Sequence, residues 1–574
     1  MGKQSTEKQS KSSGRELTFR PSVKSRRGDI FAVLTIIVIW VAIVIVADPR
    51  GQFPLNDDWC YARAVRTLLH EHTLELLPVV AVPLVAQVLW GALFCLPFGF
   101  SFFALRISTL TLGLAGLIAV YALLREVRAP RWAAFVGSLT VAFNAIYLQL
   151  SNTFMTDVPF FAFAVLSVYL FVRGLRRDST ACVVGGIVLA CAAALIRQLG
   201  VVLPVSFAAG YLVKNGLSPR SLAKALLPVV IVLGTLLIYQ KWLDSTGRLP
   251  LYYSRQAPAA ASFLTGDVDK IIFGAADVAR TAFVYLGLFL LPFSILVSWR
   301  RWVSLSRLQH VLNWAAAAIL FVVITATLIS EGKWMPLCGN CINDYGMGPA
   351  TFSDISILFL PHLPTVPRWL CIGVTVIGAA GAALVFRHIL AAIEGLAKGK
   401  AAAGSDKAVL TMMLVASALF LAVVAPLAEY VYFDRYFLMY IPLLMAVAVL
   451  TANLPVRISR VGASLAVLVL LLYGFLAVAG VHDYLSWNRA RWQALNDLMR
   501  QGVKSDLIDG GYELLWHKYR KSPGGDWEYA HDNAYVTTFG EMPGYREIKR
   551  YPFRRWIPPG QGSILVLHWE NYYP

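Results

Sequence analysis

Three acidic positions border long apolar runs in a chain that carries only 33 Asp and Glu among 574 residues. They are Asp57 and Asp58 in Asn56-Asp57-Asp58-Trp59, Asp157 in Phe154-Met155-Thr156-Asp157-Val158-Pro159, and Asp434 in Phe433-Asp434-Arg435-Tyr436. A carboxylate at a membrane edge is costly to keep there, and it can take a proton from an attacking hydroxyl or hold a cation. Each also has a plain structural reading. Asp57 or Asp58 complements a helix N-terminus, Asp157 before Pro159 reads as a cap, and Asp434 with Arg435 reads as an interfacial ion pair. Three such sites on one face favour chemistry. Adjacent residues on a helix point about 100° apart, so only one of Asp57 and Asp58 can face a pocket squarely.

Arg197 is the complementary cation, at the outer end of the otherwise apolar stretch Leu189–Gly200. It either snorkels to the interface or binds an anionic headgroup. His70 and His72 are two residues apart and do not share a helix face, so no zinc-binding helix motif is present there. Cys338 and Cys341 (CGNC) read as a local disulfide or two free thiols in an external loop, and the remaining cysteines as core residues.

The elements that position these residues are membrane spans. The chain is 57% hydrophobic and 15% charged, with mean hydropathy +0.61, which excludes an ordinary soluble enzyme and a disordered chain. A span needs about 20 apolar residues. Thirteen candidates are found, near 30–47, 103–124, 132–151, 158–174, 180–197, 199–213, 226–242, 278–298, 312–329, 367–388, 409–428, 436–453 and 461–480. Basic loops at Arg125/Arg128/Arg131, Arg173/Arg176/Arg177, Lys214/Arg220/Lys224, Arg300/Arg301/Arg307, Arg387/Lys398/Lys400/Lys407 and Arg457/Arg460 all fall on one side of that alternation. The positive-inside rule makes this the cytoplasmic side. The net charge of +18 therefore reports orientation rather than an affinity for nucleic acid.

The expected organisation is an all-α polytopic membrane protein. A basic, disordered cytoplasmic head spans 1–29, and the transmembrane domain 30–480 carries external loops at 48–102 and 330–366. A small α/β extracytoplasmic domain over 481–574 contains a helix at 485–499 and a strand at 563–569. The loop 333–349 reads as a mobile flap with Trp334, Asn340, Asp344 and Tyr345 as sugar contacts or interfacial anchors. In the tail, Tyr512, Trp516 and Trp527 read as glycan-stacking or packing residues.

These motifs resemble the GT-C glycosyltransferases, in particular the bacterial protein-mannosyltransferase-like branch (family 39) related to the lipid A aminoarabinose transferases. The resemblance is carried by Asn56-Asp57-Asp58-Trp59-Cys60-Tyr61-Ala62, Gln87-Val88-Leu89-Trp90-Gly91, Gly99-Phe100-Ser101-Phe102 with Leu105-Arg106, and the segments around Asp157 and Asp434. It implies an inverting transfer of sugar from a polyprenyl-phosphate donor to an envelope hydroxyl at the periplasmic or outer face of a bacterial plasma membrane. By the same resemblance Asp57 or Asp58 is the general base, with Asp57 preferred, and Asp157 assists. Asp57 and Asp157 would share a divalent metal, if one is used. Arg197 and Arg435 are the candidates for the donor phosphate, with Gln87, Trp90, Asp434 and Tyr436 beside them. A Lys-Pro-Pro element of the aminoarabinose transferases is missing, with Leu77-Pro78-Val79-Val80-Ala81 and Pro83 in its region. The competing readings are a transporter or flippase of lipid-linked sugar, an oligosaccharide polymerase or ligase, and a non-enzymatic scaffold. Symmetric repeats, which transporters often show, are not apparent.

Overall fold

The computed structural model describes residues 23–256, 268–297, 306–397, 405–424, 432–452, 454, 460–518, 520–521, 527–528 and 534–570. Its helices of seven residues or more run α1 Val23–Ala47, α2 Asp58–Glu71, α3 Val85–Cys95, α4 Phe102–Glu126, α5 Arg131–Ala142, α6 Ala145–Ser151, α7 Asp157–Arg177, α8 Thr180–Ala194 and α9 Val202–Asn215. They continue as α10 Pro219–Ser245, α11 Val268–Phe289, α12 Leu291–Val297, α13 Arg307–Ser330, α14 Arg368–Ala397, α15 Ser405–Val424, α16 Tyr440–Thr451 and α17 Arg460–Arg500.

Among the described residues, ten helical segments are long and apolar enough to cross a membrane, or eleven if the bent pair α5–α6 is one span. Each of the thirteen expected segments is mainly helical over its described residues, with 298, 425–428 and 453 lying outside them, but three fall short of that test. Asn144 breaks the first of these. Its side chain accepts the Tyr147 N–H at 3.0 Å and starts α6 at 62° to α5, as an N-cap does. The other two are α8 and α9, of 15 and 14 residues, separated by a tight 3₁₀ turn at Gln198–Val201. Gly200 permits that turn, since a Cβ there would lie 2.4 Å from the Ala194 nitrogen. Of the head expected over 1–29, residues 1–22 lie outside the described residues, while 23–29 are helical and begin α1.

The basic helix ends meet at one end of the bundle, where carboxylates tie them together. Asp29 on α1 pairs with Arg125 at 2.9 Å and Arg131 at 3.4 Å. Asp406 on α15 pairs with Arg128 at 3.1 Å and Arg176 at 3.2 Å. Arg177–Glu126 at 2.9 Å and Lys214–Asp178 at 2.7 Å complete the set. The ends of α1, α4, α5, α7, α9 and α15 thus lie together, as the alternation read from the sequence requires. The acids at 57, 58, 157 and 434 are at the other end.

The C-terminal region is built on a helix longer than expected. The apolar span at 461–480 and the amphipathic helix at 485–499 are one continuous helix, α17, of 41 residues. Gly480 sits within it, against Met347. A four-stranded sheet follows, made of β1 Ile508–Asp509, β2 Tyr535–Thr538, β3 Tyr545–Trp556 and β4 Pro559–Trp569, in the order β1-β2-β4-β3. β1 and β2 are parallel, and the other pairings antiparallel. One face of the sheet buries Tyr551, Phe553, Ile564 and Val566 and the other Val536, Leu565 and Leu567, while α17 buries Trp492, Leu495 and Leu498. The domain is α/β, as the sequence indicates.

Candidate active site

The segment leading into α2 is held from three directions. Arg106 on α4 donates to the carbonyls of Pro49 at 2.5 Å and Phe53 at 3.1 Å. Arg489 on α17 donates to the Asp48 carbonyl at 2.9 Å. Asn56, in a left-handed conformation at φ 55°, donates its N–H to Glu513 Oε1 at 2.9 Å. Glu513 itself is fully buried and paired with the equally buried Arg491 at 2.7 Å.

This frame separates the two adjacent acids. Asp58 is 2% exposed. Its Oδ1 accepts the Leu55 N–H at 2.5 Å, and its Oδ2 accepts the Phe154 N–H at 3.2 Å. It therefore joins the start of α2 to the loop before α7. Burial drives its carboxyl well above the usual range, against those two backbone donors and Arg106. Asp57 makes no capping hydrogen bond and keeps 29% of its side chain exposed, with Oδ2 3.8 Å from Arg435 Nη2. Burial raises its pKa too, while Arg435 and a hydrogen bond from the Tyr512 phenol pull it down.

Asp157 opens α7 and lies beside two guanidinium groups. Arg197 Nη1 donates to Asp157 Oδ1 at 2.6 Å, and Arg435 Nε is 3.9 Å from the same oxygen. Asp157 Oδ2 and the Nε and Nη1 of Arg435 are buried without a hydrogen-bond partner among the described residues. The aromatic residues of Phe433-Asp434-Arg435-Tyr436 orient these cations. Arg435 lies 4.6 Å from the Phe433 ring centroid, and Arg197 5.4 Å from that of Tyr436. Asp57, Asp157, Arg197, Arg435 and Tyr436 therefore form one cluster.

Three other candidates stand apart from that cluster. Gln87 is fully buried and donates to the Phe154 carbonyl at 2.7 Å. Trp90 donates to the Ser108 carbonyl at 3.0 Å. Asp434 accepts the N–H groups of Cys341 and Ile342 at 3.2 and 2.9 Å. Its place is structural, tying the loop after α13 to the start of the twelfth expected span. That loop is further held by the Met335 N–H on Thr375 at 2.8 Å and the Cys338 N–H on the Tyr285 hydroxyl at 3.1 Å. The expected flap is thus fastened at several points, and Cys338 and Cys341 are free thiols.

A metal shared by Asp57 and Asp157 would have to share both carboxylates with Arg435. The Arg435 guanidinium approaches both carboxylates, which already supplies the neutralising cation. Among the described residues, no three His, Cys, Asp or Glu side chains form a ligand set. Two carboxylates alone make no all-protein cage, and a magnesium ion held by one or two carboxylates is completed by water and substrate phosphate.

Sequence reasoning did not find the parts played by four contributors. Arg106 belonged to a recognised motif, but its bond to the first loop could not be inferred. Glu513 and Arg491 gave no signal beyond being charged residues in the tail. Tyr512 was singled out as an aromatic, not as a partner of Asp57.

These features define a polytopic membrane protein with an acid-and-guanidinium site at one end of its bundle. Residues 81–243, 163 of the 574, match the family model described as dolichyl-phosphate-mannose-protein mannosyltransferase. The match includes Asp157 and Arg197 and stops short of Asp57, Arg435 and the C-terminal domain. Over this segment, less than a third of its length, the chain is similar to that family of membrane-bound sugar transferases. No curated protein sequence matches it. Among solved structures, it overlaps ArnT from Cupriavidus metallidurans bound to undecaprenyl phosphate at 15% identity and TM-score 0.38, covering 96% of this chain and 100% of that one. It also overlaps the Archaeoglobus fulgidus oligosaccharyltransferase in complex with zinc and sulfate, at 12% identity and TM-score 0.40, over 82% of this chain and 57% of that one. The arabinosyltransferase EmbB from Mycobacterium smegmatis overlaps at 14% identity and TM-score 0.30, over 84% and 44%. Overlaps this loose assign no role to any residue of the site.

Proposed function

We propose that this protein moves a sugar from a polyprenyl-phosphate donor to a hydroxyl of a cell-envelope acceptor, with inversion, at the extracytoplasmic face of a bacterial plasma membrane. The observation that carries the reading is Asp57: partly exposed, committed to no backbone donor, and 3.8 Å from a buried guanidinium. Asp57 takes the acceptor proton as the acceptor oxygen bonds to the anomeric carbon. The bond from that carbon to the phosphate oxygen breaks, and its electron pair leaves with polyprenyl phosphate.

Arg435 supports this role through Nε and Nη1, which have no hydrogen-bond partner among the described residues; a guanidinium binds phosphate through such paired donors. Arg197 lies on the other side of Asp157 and can hold a second phosphate oxygen. Asp157 keeps the two cations together, and Asp58 fixes the helix that presents the base. The description of the matching family names a dolichyl-phosphate sugar, which agrees with a lipid-phosphate donor. No step requires a metal. The basic helix ends lie at the opposite end of the bundle, which supports an extracytoplasmic site.

The test is transfer by purified protein in lipid nanodiscs, using radiolabelled polyprenyl-phosphate sugar and envelope acceptors. Asp57→Asn should lower transfer by about 10²-fold or more while donor binding persists. Full transfer by Asp57→Asn would overturn the base assignment. Passage of lipid-linked sugar across liposomes without transfer would favour a flippase.

A further inference from the structure

Tyr512 packs edge-on against Trp59, two residues along the chain from Asp57, at a ring-centroid distance of 5.9 Å, and lines a cavity of about 730 Å³. The remaining wall is the segment 339–365 of the loop after α13. The volume lies within the roughly 300–1,000 Å³ typical of ligand pockets. Tyr345, Phe359 and Tyr512 supply aromatic surface, and Asn343, Asp344 and Thr351 supply polar groups. No lysine, arginine or histidine is among the described residues lining it.

We infer that this cavity is the acceptor site, and that its acceptor is an uncharged glycan bearing the reacting hydroxyl. The assignment deepens the transferase reading and rests on it. Charge divides about Asp57. Arg435 and Arg197 stand on the Asp157 side, where a leaving phosphate needs them. The Tyr512 side offers one carboxylate and no cation. A phosphorylated or carboxylated acceptor would meet the like charge of Asp344 there, with no cation among the lining residues to offset the repulsion. A neutral sugar meets no such penalty. Its C–H faces pack on the rings, and its hydroxyls exchange hydrogen bonds with the amide, carboxylate and threonine. Tyr512 then sits at the junction, so a hydroxyl at the inner end of the cavity comes up beside the base.

Binding and transfer test the two readings separately. Protein in nanodiscs is probed by saturation-transfer NMR with mannotriose, cellotriose and chitotriose, and with glucose 6-phosphate and a Ser/Thr-rich peptide as competitors. At least one neutral trisaccharide should bind wild type and Asp57→Asn alike. Ser356→Trp, which fills the cavity from its exposed rim, should weaken that binding at least tenfold, and Phe359→Ala should weaken it several-fold. Both variants should raise the acceptor KM and leave donor binding unchanged. The inference is overturned if no trisaccharide binds, if neither variant alters binding, or if the phosphorylated sugar or the peptide binds more tightly. Saccharide binding that persists in an Asp57→Asn protein with full transfer upholds the cavity and removes only the base.

Discussion

The residue scale turns on two neighbouring aspartates that the sequence could not separate. Helical geometry showed only that they diverge; backbone donors from Leu55 and Phe154 commit Asp58 to the frame. Asp57→Asn should therefore lower the transfer rate by roughly 10²–10⁴-fold, the usual worth of a general base, with donor affinity within a few-fold of wild type. Rate and equilibrium donor binding, measured on the same preparation, check this. The pH profile carries a second signature. Burial raises the Asp57 pKa, so the acid limb of kcat/KM should lie above the ordinary carboxylate range. Arg435 and Tyr512 both lower that pKa, so Tyr512→Phe should move the limb to still higher pH. A limb that stays put or moves down would contradict the contact. The same shift has a stability sign. The folded state holds the proton more tightly than the unfolded chain, so ionising Asp57 reduces stability as pH rises through its folded pKa.

At the element scale, local signals were legible and distant ones were not. Apolar runs marked helix in the described part of every one of the thirteen segments, because hydropathy and helix formation are properties of contiguous sequence. Span length was lost where a side chain or turn intervened: Asn144 caps α6, and the turn at Gly200 shortens both neighbours. The joining of α17 across Gly480 was missed because the composition changes there while the backbone does not. The bond from Asn56 to Glu513 joins positions 457 apart in the chain, and nothing in one sequence marks such a partner. That bond gives the C-terminal domain a part in the site. Glu513→Gln should leave Arg491 buried without its counter-ion, at a cost of about 3–5 kcal/mol for breaking a buried pair. A marked fall in melting temperature in detergent, larger than for Lys549→Gln at the exposed Lys549–Asp497 pair, is the expected result. Equal shifts would mean that the buried pair carries no special weight.

The whole molecule places its charges by type. Cations cluster at one end of the bundle beside Asp29, Glu126, Asp178 and Asp406, and the acids that could do chemistry cluster at the other. If the basic end is cytoplasmic, then Asp57, the cavity and the sheet domain all face out of the cell. Lipid-linked donor and envelope acceptor would then meet there without a nucleotide. The disposition can be measured without an assay for transfer. Alkaline phosphatase needs disulfides, which form outside the cytoplasm, so its activity reports the side of a fusion point. Fused after residue 570 of the full chain, it should be active. Fused after Arg177, at the basic end of α7, it should be inactive, and a fluorescent protein at that point should be bright. The reverse pattern would put Asp57 in the cytoplasm and leave the lipid-linked donor without its extracytoplasmic face. Activity at both points would show that α7 and α17 end on the same side, contrary to the segregation of basic and acidic ends.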